Sequence, residues 1–504
     1  MLDAQKNLTT GFLILLSLPA AAIGFCLSAG IASTTWLLST RYGLHIDNIA
    51  LIWLAGPLMG LLVQPIVGAL SDRTWLLNGR RRPYLLVGGI AGAVSMFAML
   101  KLDRIATSTG LSLLVIAVVV ALLCDLSTNV TFNPARSLVA DLTPEGPDRV
   151  RGYSWMQTVS GFFGISAYMI SLVLGNEALI LITVAVTFAF SVLPMLFIRE
   201  FAAPDKRLAP PESAAVSREH ATGNDAFKAL LPMSAFMFYG IFIAVDKLVF
   251  DGALADVSVP LFILAVGITL AWGAAIVWRA RANPSSELRL RKILLGHGFA
   301  WLGVQGMFVM AFFFVRDFVV PNTAPGSVLA NAFLRLAHGA EPTAGDTAGN
   351  ILSLGFLLLN VVGALLPILL LKPLCARWDK VLVHRSAMGL MAVGYLLVSM
   401  GANGEIFYYA GMLMCGIGWS SLISIVFAIF SESVNSDEMG VSMGVFNSSL
   451  VLPALAVPGL LKLSDALGHH RWMFVLFALC LAVSFAFWCT VSDRTSADGV
   501  QQGP

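Results

Sequence analysis

The stretch GALSDRTWLLNGRRRP, residues 68–83, joins two long apolar runs and decides how the chain is organised. It concentrates one acid and four arginines in a single short turn. Basic residues in short loops between membrane spans stay on the cytoplasmic side of the bilayer. The turn therefore predicts two spanning helices that meet at the cytoplasmic face.

The composition indicates an integral membrane protein. The chain has 504 residues, of which 58% are apolar and only 12% are charged, whereas about a quarter of the residues of a soluble domain are charged. The net charge of +2 gives no support for a nucleic-acid partner. The six cysteines are scattered without metal-ligand spacing, so we expect neither a metal nor another cofactor. No nucleophile–base–acid spacing and no phosphate loop are found in the sequence, which argues against an enzyme.

Fourteen apolar segments have the length of helices that cross the bilayer, which takes about 20 residues. The first segment is too long for the core of a signal peptide and is predicted to be retained. Basic residues concentrate in alternate loops, which places both termini in the cytoplasm and the chain in the cell membrane, inner or plasma. The segments are 11–38, 47–70, 83–101, 111–140, 151–175, 178–198, 227–250, 258–279, 290–318, 348–371, 384–402, 405–433, 440–463 and 471–492.

The two ends of the chain resemble each other. A basic turn follows the second of the first six segments, and another, KPLCARWDKVLVHR at 372–385, follows the second of the last six. An internal duplication leaves this arrangement. We predict an all-α integral membrane protein of two six-helix bundles plus an inserted two-helix hairpin, with 14 transmembrane helices. The predicted parts are the first bundle at 1–198, a cytoplasmic linker at 199–226, the hairpin at 227–280, the second bundle at 281–493 and a cytoplasmic tail at 494–504.

The charged turn is also a candidate gate. Gly68 allows two helices to approach closely, Asp72 ends one helix, and the arginines begin the next. Such a cluster can hold two helix ends together in one conformation and release them in another; the alternative is a signal for topology alone. Arg136, one turn from Asp141, belongs to this gate or to the pocket floor, or it forms a plain structural ion pair. The gate set is Gly68, Asp72, Arg73, Gly79, Arg80, Arg81, Arg82, Arg136, Asp141 and Glu432.

The fourth segment carries the richest set of polar residues, in CDLSTNVTFNPARSLVADLTPEG at 124–146. Four of them are spaced four, four and three apart, which places them on one helix face within an arc of about 80°. Lipid does not accept such a face, so it lines a cavity or a helix interface. Near mid-span an ionised carboxylate is poorly solvated, so Asp125 is suited to take up and release a proton near neutral pH. The alternative is a buried aspartate that only packs. The four residues are Asp125, Asn129, Asn133 and Arg136.

Polar residues within the spans are candidates for substrate binding, because such residues are costly in lipid and usually functional. Each has an alternative role in holding helices together. The candidates are Asn129, Asn133, Gln157, Gln305, Arg316, Asp317, Asn360 and Asn447.

Four stretches resemble one family. IWLAGPLMGLLVQPIVGALSDRTWLLNGRRRP at 52–83 and DLSTNVTFNPARSLVADL at 125–142 are similar to the second span with its loop and to the fourth span of plant sucrose transporters and their animal relatives. FFFVRDF at 312–318 and LLLNVVGALLPILLLKPLCARWDK at 357–380 resemble later spans. The chain is identified as a member of the sucrose-transporter-like (glycoside–pentoside–hexuronide:cation symporter) branch of the major facilitator superfamily, with two extra central helices.

The resemblance implies import of sucrose or a related glycoside together with protons. It makes Asp125 the counterpart of the family's protonated acid beside the sugar. It makes Asn129 and Arg136 counterparts of polar residues of the same helix, and Asp317 the counterpart of an acid in the seventh core span.

This chain also departs from the family pattern. Ser28 and Ile31 stand where the family carries a tryptophan and a glutamine near its pocket. Arg316 and Asp317 stand where the family often has two acids. The two inserted helices have no counterpart there, so the sugar and the role of the inserted hairpin stay open.

We therefore expect a secondary active transporter that works by alternating access. Its expected partners are a small sugar, H⁺ as the coupling ion and the membrane lipids, in a monomer or weak dimer. Export instead of import, transport of another small solute, and a non-transporting assembly or scaffold protein are the alternatives.

Overall fold

The computed structural model describes residues 5–53, 56, 60, 63, 66–67, 70–71, 74–143, 147–200, 227–323, 329, 331–332, 343–431, 433–434, 439–468 and 470–491. These residues are almost entirely helical, and they include an isolated antiparallel bridge between Leu76 and Gly79. The prediction of an all-α protein is confirmed. The chain divides into two compact units, Met1–Arg218 and Glu219–Pro504.

The first unit begins with a helix that ends in a π-helical turn, Leu37–Arg41. Side chains of Thr9 and Ser112 accept hydrogen bonds from backbone N–H groups three residues on, which fixes where the first and fifth helices start. Pro83 lies in the first turn of the third helix, where a missing N–H costs nothing. The helices are α1 (Thr10–Trp36), α2 (Ile46–Trp53, with further helical residues up to 71), α3 (Arg82–Met99), α4 (Leu102–Thr109), α5 (Leu113–Leu142), α6 (Pro147–Leu174) and α7 (Asn176–Phe197).

Packing in the first unit centres on two helices, α1 and α3. α1 packs against α6 and α7, and α3 packs against α5 and α7. At one end of the unit these helices bury a common apolar cluster that includes Leu13, Leu85, Leu138, Met156 and Met195. α5 is thereby held along its length, which positions its polar face.

The second unit contains the inserted hairpin and the later helices. Its longest helix is buried along most of its length, and it packs against the last helix and against Met439–Ala454. The helices are α8 (Ser234–Val249), α9 (Ala255–Ala282), α10 (Ser286–Phe314), α11 (Ala344–Leu366), α12 (Lys372–Arg377), α13 (Lys380–Ser399), α14 (Glu405–Leu422), α15 (Ile425–Ser431), α16 (Met439–Ala454), α17 (Val457–Ala466) and α18 (Met473–Cys489).

Eleven of the fourteen predicted spans coincide with helices that, among the described residues, are long and apolar enough to cross a membrane. The segment predicted at 47–70 is only partly described. The other two correspond to α8 with 16 residues and α18 with 17 residues, both somewhat short for a full span. The count of fourteen therefore stays a prediction.

The inserted hairpin, α8 and α9, packs onto the second unit. α9 contacts α10 and α17, and α8 contacts α16. The contact with α17 is so close at Gly459 that a Cβ atom there would collide with the Phe262 ring and the Tyr239 hydroxyl. In the last turn of α8, Asp246 is buried and its carboxylate accepts a hydrogen bond from the N–H of Leu254, just before α9 (2.9 Å).

We expect Gly459→Val to loosen this packing. The added side chain must displace Phe262 or Tyr239, and overpacking of this kind costs about 1–3 kcal/mol. The matched control is Gly267→Val in α9, where a Cβ atom meets nothing within 4 Å; its effect should stay within about 0.5 kcal/mol. Thermal unfolding of the purified protein in detergent measures both. Equal stability of the two variants would contradict the close packing at Gly459.

Candidate functional site

The centre of the candidate site is Asp125, which lies half-buried in the middle of α5. Its carboxylate faces α2 at Gly56. A Cβ atom built on Gly56 would lie 3.4 Å from each of the two carboxylate oxygens. Because glycine has no side chain, the carboxylate is spared direct contact with hydrocarbon at this position of α2.

The Asp125 carboxylate has no ion pair or hydrogen bond within the part of the chain that the structure describes. One turn further on, the buried Asn129 donates its amide N–H to the main-chain carbonyl of Asp125 (2.8 Å) rather than to the carboxylate. An acid left unpaired in this way is available to bind a proton or an external donor, which a merely structural aspartate would not be.

Further along the polar face of α5 lie Asn133, which is half-buried, and Arg136, which is exposed. The guanidinium carbon of Arg136 lies 4.1 Å from the centroid of the Phe132 ring, in a cation–π arrangement. The main-chain carbonyl of Arg136 accepts a hydrogen bond from the Tyr153 hydroxyl (3.2 Å). Asp141, the expected partner of an ion pair with Arg136, is instead paired with other arginines.

Those arginines belong to the charged turn. Arg81 is only 5% exposed, and its guanidinium donates to the Asp141 carboxylate (2.9 Å) and to the Ser71 hydroxyl (2.6 Å). A guanidinium nitrogen of Arg80 lies 3.3 Å from the other oxygen of Asp141. The end of α2, the start of α3 and the end of α5 are thereby joined through one buried cation.

A residue that the sequence analysis missed completes this cluster. The Glu200 carboxylate accepts hydrogen bonds from the backbone N–H groups of Arg80 (2.8 Å), Arg81 (2.9 Å) and Arg82 (2.8 Å). These are the unpaired donors at the N-terminus of α3, where a negative charge is favourable. Gly79 is required for the approach, because a Cβ atom there would collide with the Glu200 carboxylate.

The segment that carries Glu200 is itself fixed. The Gln5 side chain donates to the main-chain carbonyl of Arg199 (2.7 Å) and accepts from its N–H (3.2 Å). The cluster of Ser71, Arg80, Arg81, Asp141 and Glu200 is called the charged latch below. Four predicted gate residues, Gly68, Asp72, Arg73 and Glu432, lie outside the described residues.

In the second unit, Arg316 and Asp317 form a bidentate ion pair with each other, with N–O distances of 2.6 and 2.9 Å. They lie on a π-helical turn, Val315–Val319, that follows α10. Turns of this kind are frequent at functional sites. The Arg316 guanidinium also lies 5.0 Å from the centroid of the Phe313 ring. The Asp317 carboxylate is therefore already neutralised by its neighbour in sequence.

The remaining candidates are spread over several helices. Asn360 donates to the main-chain carbonyl of Phe356 (2.9 Å), whereas Gln305 and Asn447 are half-buried on α10 and α16. Gln157 is exposed on α6 of the first unit. Among the described residues no group of three or more His, Cys, Asp or Glu side chains is arranged to hold a metal ion.

Solved structures with the same fold are transporters. The nucleoside transporter NupG matches with a TM-score of 0.59 at 12% identity, covering 96% of this chain and 100% of the other. The peptide transporter POT in complex with sulfate matches with a TM-score of 0.60 at 14% identity, and the match covers 97% of this chain and 94% of the other. At such low identity the likeness shows the fold alone.

Curated relatives match over shorter segments. The general alpha-glucoside permease of Schizosaccharomyces pombe is 30% identical over 158 residues, which is 27% of this chain and 27% of the relative. Sucrose transport protein SUC4 of Arabidopsis thaliana is 34% identical over 123 residues, 23% of each. The membrane-associated transporter protein of Mus musculus is 27% identical over 176 residues, which is 33% of this chain and 32% of the relative. The matched segments thus span about a quarter to a third of the relatives' length.

These matches confirm the resemblance to sucrose transporters that the sequence motifs predicted. The relatives and the structural neighbours are membrane transporters rather than enzymes. The model of the Major Facilitator Superfamily matches residues 18–458, so the chain is a multi-pass membrane protein that belongs to that superfamily.

Proposed function

We propose that the protein is a secondary active transporter that couples proton movement to uptake of sucrose or a related glycoside. The observation that carries the proposal is the Asp125 carboxylate, which lies in mid-span against Gly56 and has no ion pair or hydrogen bond within the described part of the chain. The substrate class rests on relatives named as sucrose and alpha-glucoside transporters.

In the proposed cycle, Asp125 takes up a proton before the loaded carrier changes conformation. An ionised carboxylate in a poorly hydrated site is costly, so the neutral form is favoured when water is excluded. The amides of Asn129 and Asn133, on the same helix face, are suited to hydrogen-bond sugar hydroxyl groups. Release of the proton on the other side restores the charge and returns the empty carrier.

We propose that the charged latch holds one conformation of the carrier on the cytoplasmic side, with the protein in the cell membrane and both termini in the cytoplasm. The buried Arg81 gives the latch two states. When Asp141 and Ser71 are in place its charge is compensated, and separation of the helix ends must expose that charge to water.

Uptake of radiolabelled sucrose into proteoliposomes under an imposed inward proton gradient tests the function. We expect saturable accumulation that a protonophore abolishes. If sucrose is not taken up, uptake of a panel of glucosides and maltose identifies the substrate within the class. If no sugar of the panel is taken up by reconstituted protein that still unfolds cooperatively, sugar transport is contradicted.

The variant Asp125→Asn tests the proton role. Asparagine keeps the shape of the side chain but cannot change its charge, so gradient-driven accumulation should fall to the level of protein-free liposomes. Exchange of labelled for unlabelled sugar, which needs no net proton transfer, should persist. The control is Asp103→Asn, an exposed acid in the first turn of α4, which should accumulate normally. Normal accumulation by Asp125→Asn would refute the assignment.

The variant Gly56→Ala tests the environment of the carboxylate. A methyl group 3.4 Å from both oxygens removes water that the ionised form needs. The neutral form is thereby favoured, and uptake should persist to a pH higher by about half a unit or more. The control, Gly161→Ala in α6, places its methyl group where nothing lies within 4 Å and should leave the pH profile unchanged. Identical profiles for the two variants would mean that Gly56 does not govern Asp125.

The variant Asp141→Asn tests the latch. It removes the anion to which the buried Arg81 donates among the described residues, so the free energy of unfolding should fall by roughly 2 kcal/mol. The control is Glu177→Gln, which breaks the exposed ion pair with Arg41 and should cost less than about 1 kcal/mol. Chemical unfolding in detergent measures stability, and sucrose uptake at matched protein amounts measures transport. A loss for Asp141→Asn no larger than that of the control would show that the latch does not hold the helix ends.

A further inference from the structure

The charged turn contains a hairpin whose geometry is unusual. The backbone groups of Leu76 and Gly79 exchange two hydrogen bonds (3.0 and 3.2 Å). The two residues between them, Leu77 and Asn78, have φ angles of +55° and +61°. Two central residues with positive φ are the mark of a type I′ turn. Asparagine tolerates this conformation, but leucine is disfavoured there because its Cβ crowds the backbone.

The tip of the hairpin is also apolar and exposed. The fractional exposures are 46% for Trp75, 57% for Leu76 and 54% for Leu77. These three consecutive residues lie outside the spanning helices, where a polar turn is the rule. A leucine that is both strained and exposed gains little in water, and here it lies beside two further exposed apolar residues, which points to a contact outside the fold.

The hairpin is mounted firmly. The Thr74 hydroxyl hydrogen-bonds to the Tyr84 hydroxyl (2.9 Å), which ties the stem to the first turn of α3. The backbone after the tip is held by Glu200. α3 is a predicted span that begins at Arg82, so the tip lies within a few residues of the membrane boundary.

We propose that Trp75, Leu76 and Leu77 form a membrane anchor that inserts into the boundary between lipid headgroups and acyl chains. The partner is the lipid bilayer itself. Indole rings favour this boundary because they combine an apolar body with one N–H donor. The adjacent cations point into the protein, where Arg81 and Arg80 meet Asp141, so the tip is left as the apolar part of the turn that faces outward.

A nitroxide label at the tip tests the anchor. Leu77→Cys is labelled in a Cys124→Ser/Cys375→Ser/Cys489→Ser background, because among the described cysteines Cys489 is exposed and Cys124 and Cys375 are partly exposed. The protein is placed in liposomes of phosphatidylcholine and phosphatidylglycerol, and collisions with oxygen and with a water-soluble nickel chelate are measured. We expect high oxygen and low nickel accessibility at position 77. The matched control, Thr107→Cys on the exposed side of α4, should show a severalfold lower ratio of oxygen to nickel accessibility.

Each other outcome overturns the proposal. High nickel accessibility at position 77 places the tip in water. Low accessibility to both reagents, in liposomes and in detergent alike, means that protein covers it, either the segment at 201–226 or a second copy. A second measurement needs no cysteine: brominated lipids should quench the wild-type tryptophan fluorescence more than that of Trp75→Phe, and equal quenching contradicts insertion.

The strained residue provides a further check. Leu77→Asn places a residue that accepts positive φ at the same position of the turn, so the hairpin should form at least as well. A label at Leu76→Cys in this variant should nevertheless become more accessible to the nickel chelate than the same label beside Leu77. An unchanged ratio would show that Leu77 contributes nothing to membrane contact.

Discussion

The membrane interior sets the constraint on which the whole structure depends: it offers no water to a charge. Each charge in a span must therefore be paired, kept near water or made neutral. In the first unit Arg81 is paired with Asp141, and Arg136 lies exposed above an aromatic ring. Asp125 has no ion pair within the part of the chain that the structure describes and is only half-buried, so the proposed change of protonation would remove an uncompensated charge from the span.

This constraint explains two glycines of the first unit. Gly56 has no side chain to press against the Asp125 carboxylate, and Gly79 has none to displace Glu200 from the start of α3. In both places the backbone itself comes close to an acid. The two acids differ in their hydrogen bonds. The Glu200 carboxylate accepts hydrogen bonds from three backbone N–H groups, whereas the Asp125 carboxylate accepts none among the described residues.

Much of the fold was predictable from the sequence, because length and hydropathy alone decide which segments can span a bilayer. The gate set predicted from the sequence contained Arg80, Arg81 and Asp141, but the sequence did not predict that these three residues pair with one another. The role of Glu200 could not be predicted, because its partners are backbone groups about 120 residues earlier in the chain and no local sequence pattern marks them. The expected proximity of Arg136 and Asp141 was misleading, since Arg81 competes for that acid from another helix.

Asp125 and Asp317 differ in what a change of charge would require. Asp317 is held by two hydrogen bonds from Arg316, so its charge is already compensated within a described ion pair. Protonation of Asp125 breaks no described contact and removes a charge from a poorly hydrated place. This difference supports the proposed assignment of proton coupling to α5, where the carboxylate has no ion pair among the described residues, rather than to the turn after α10.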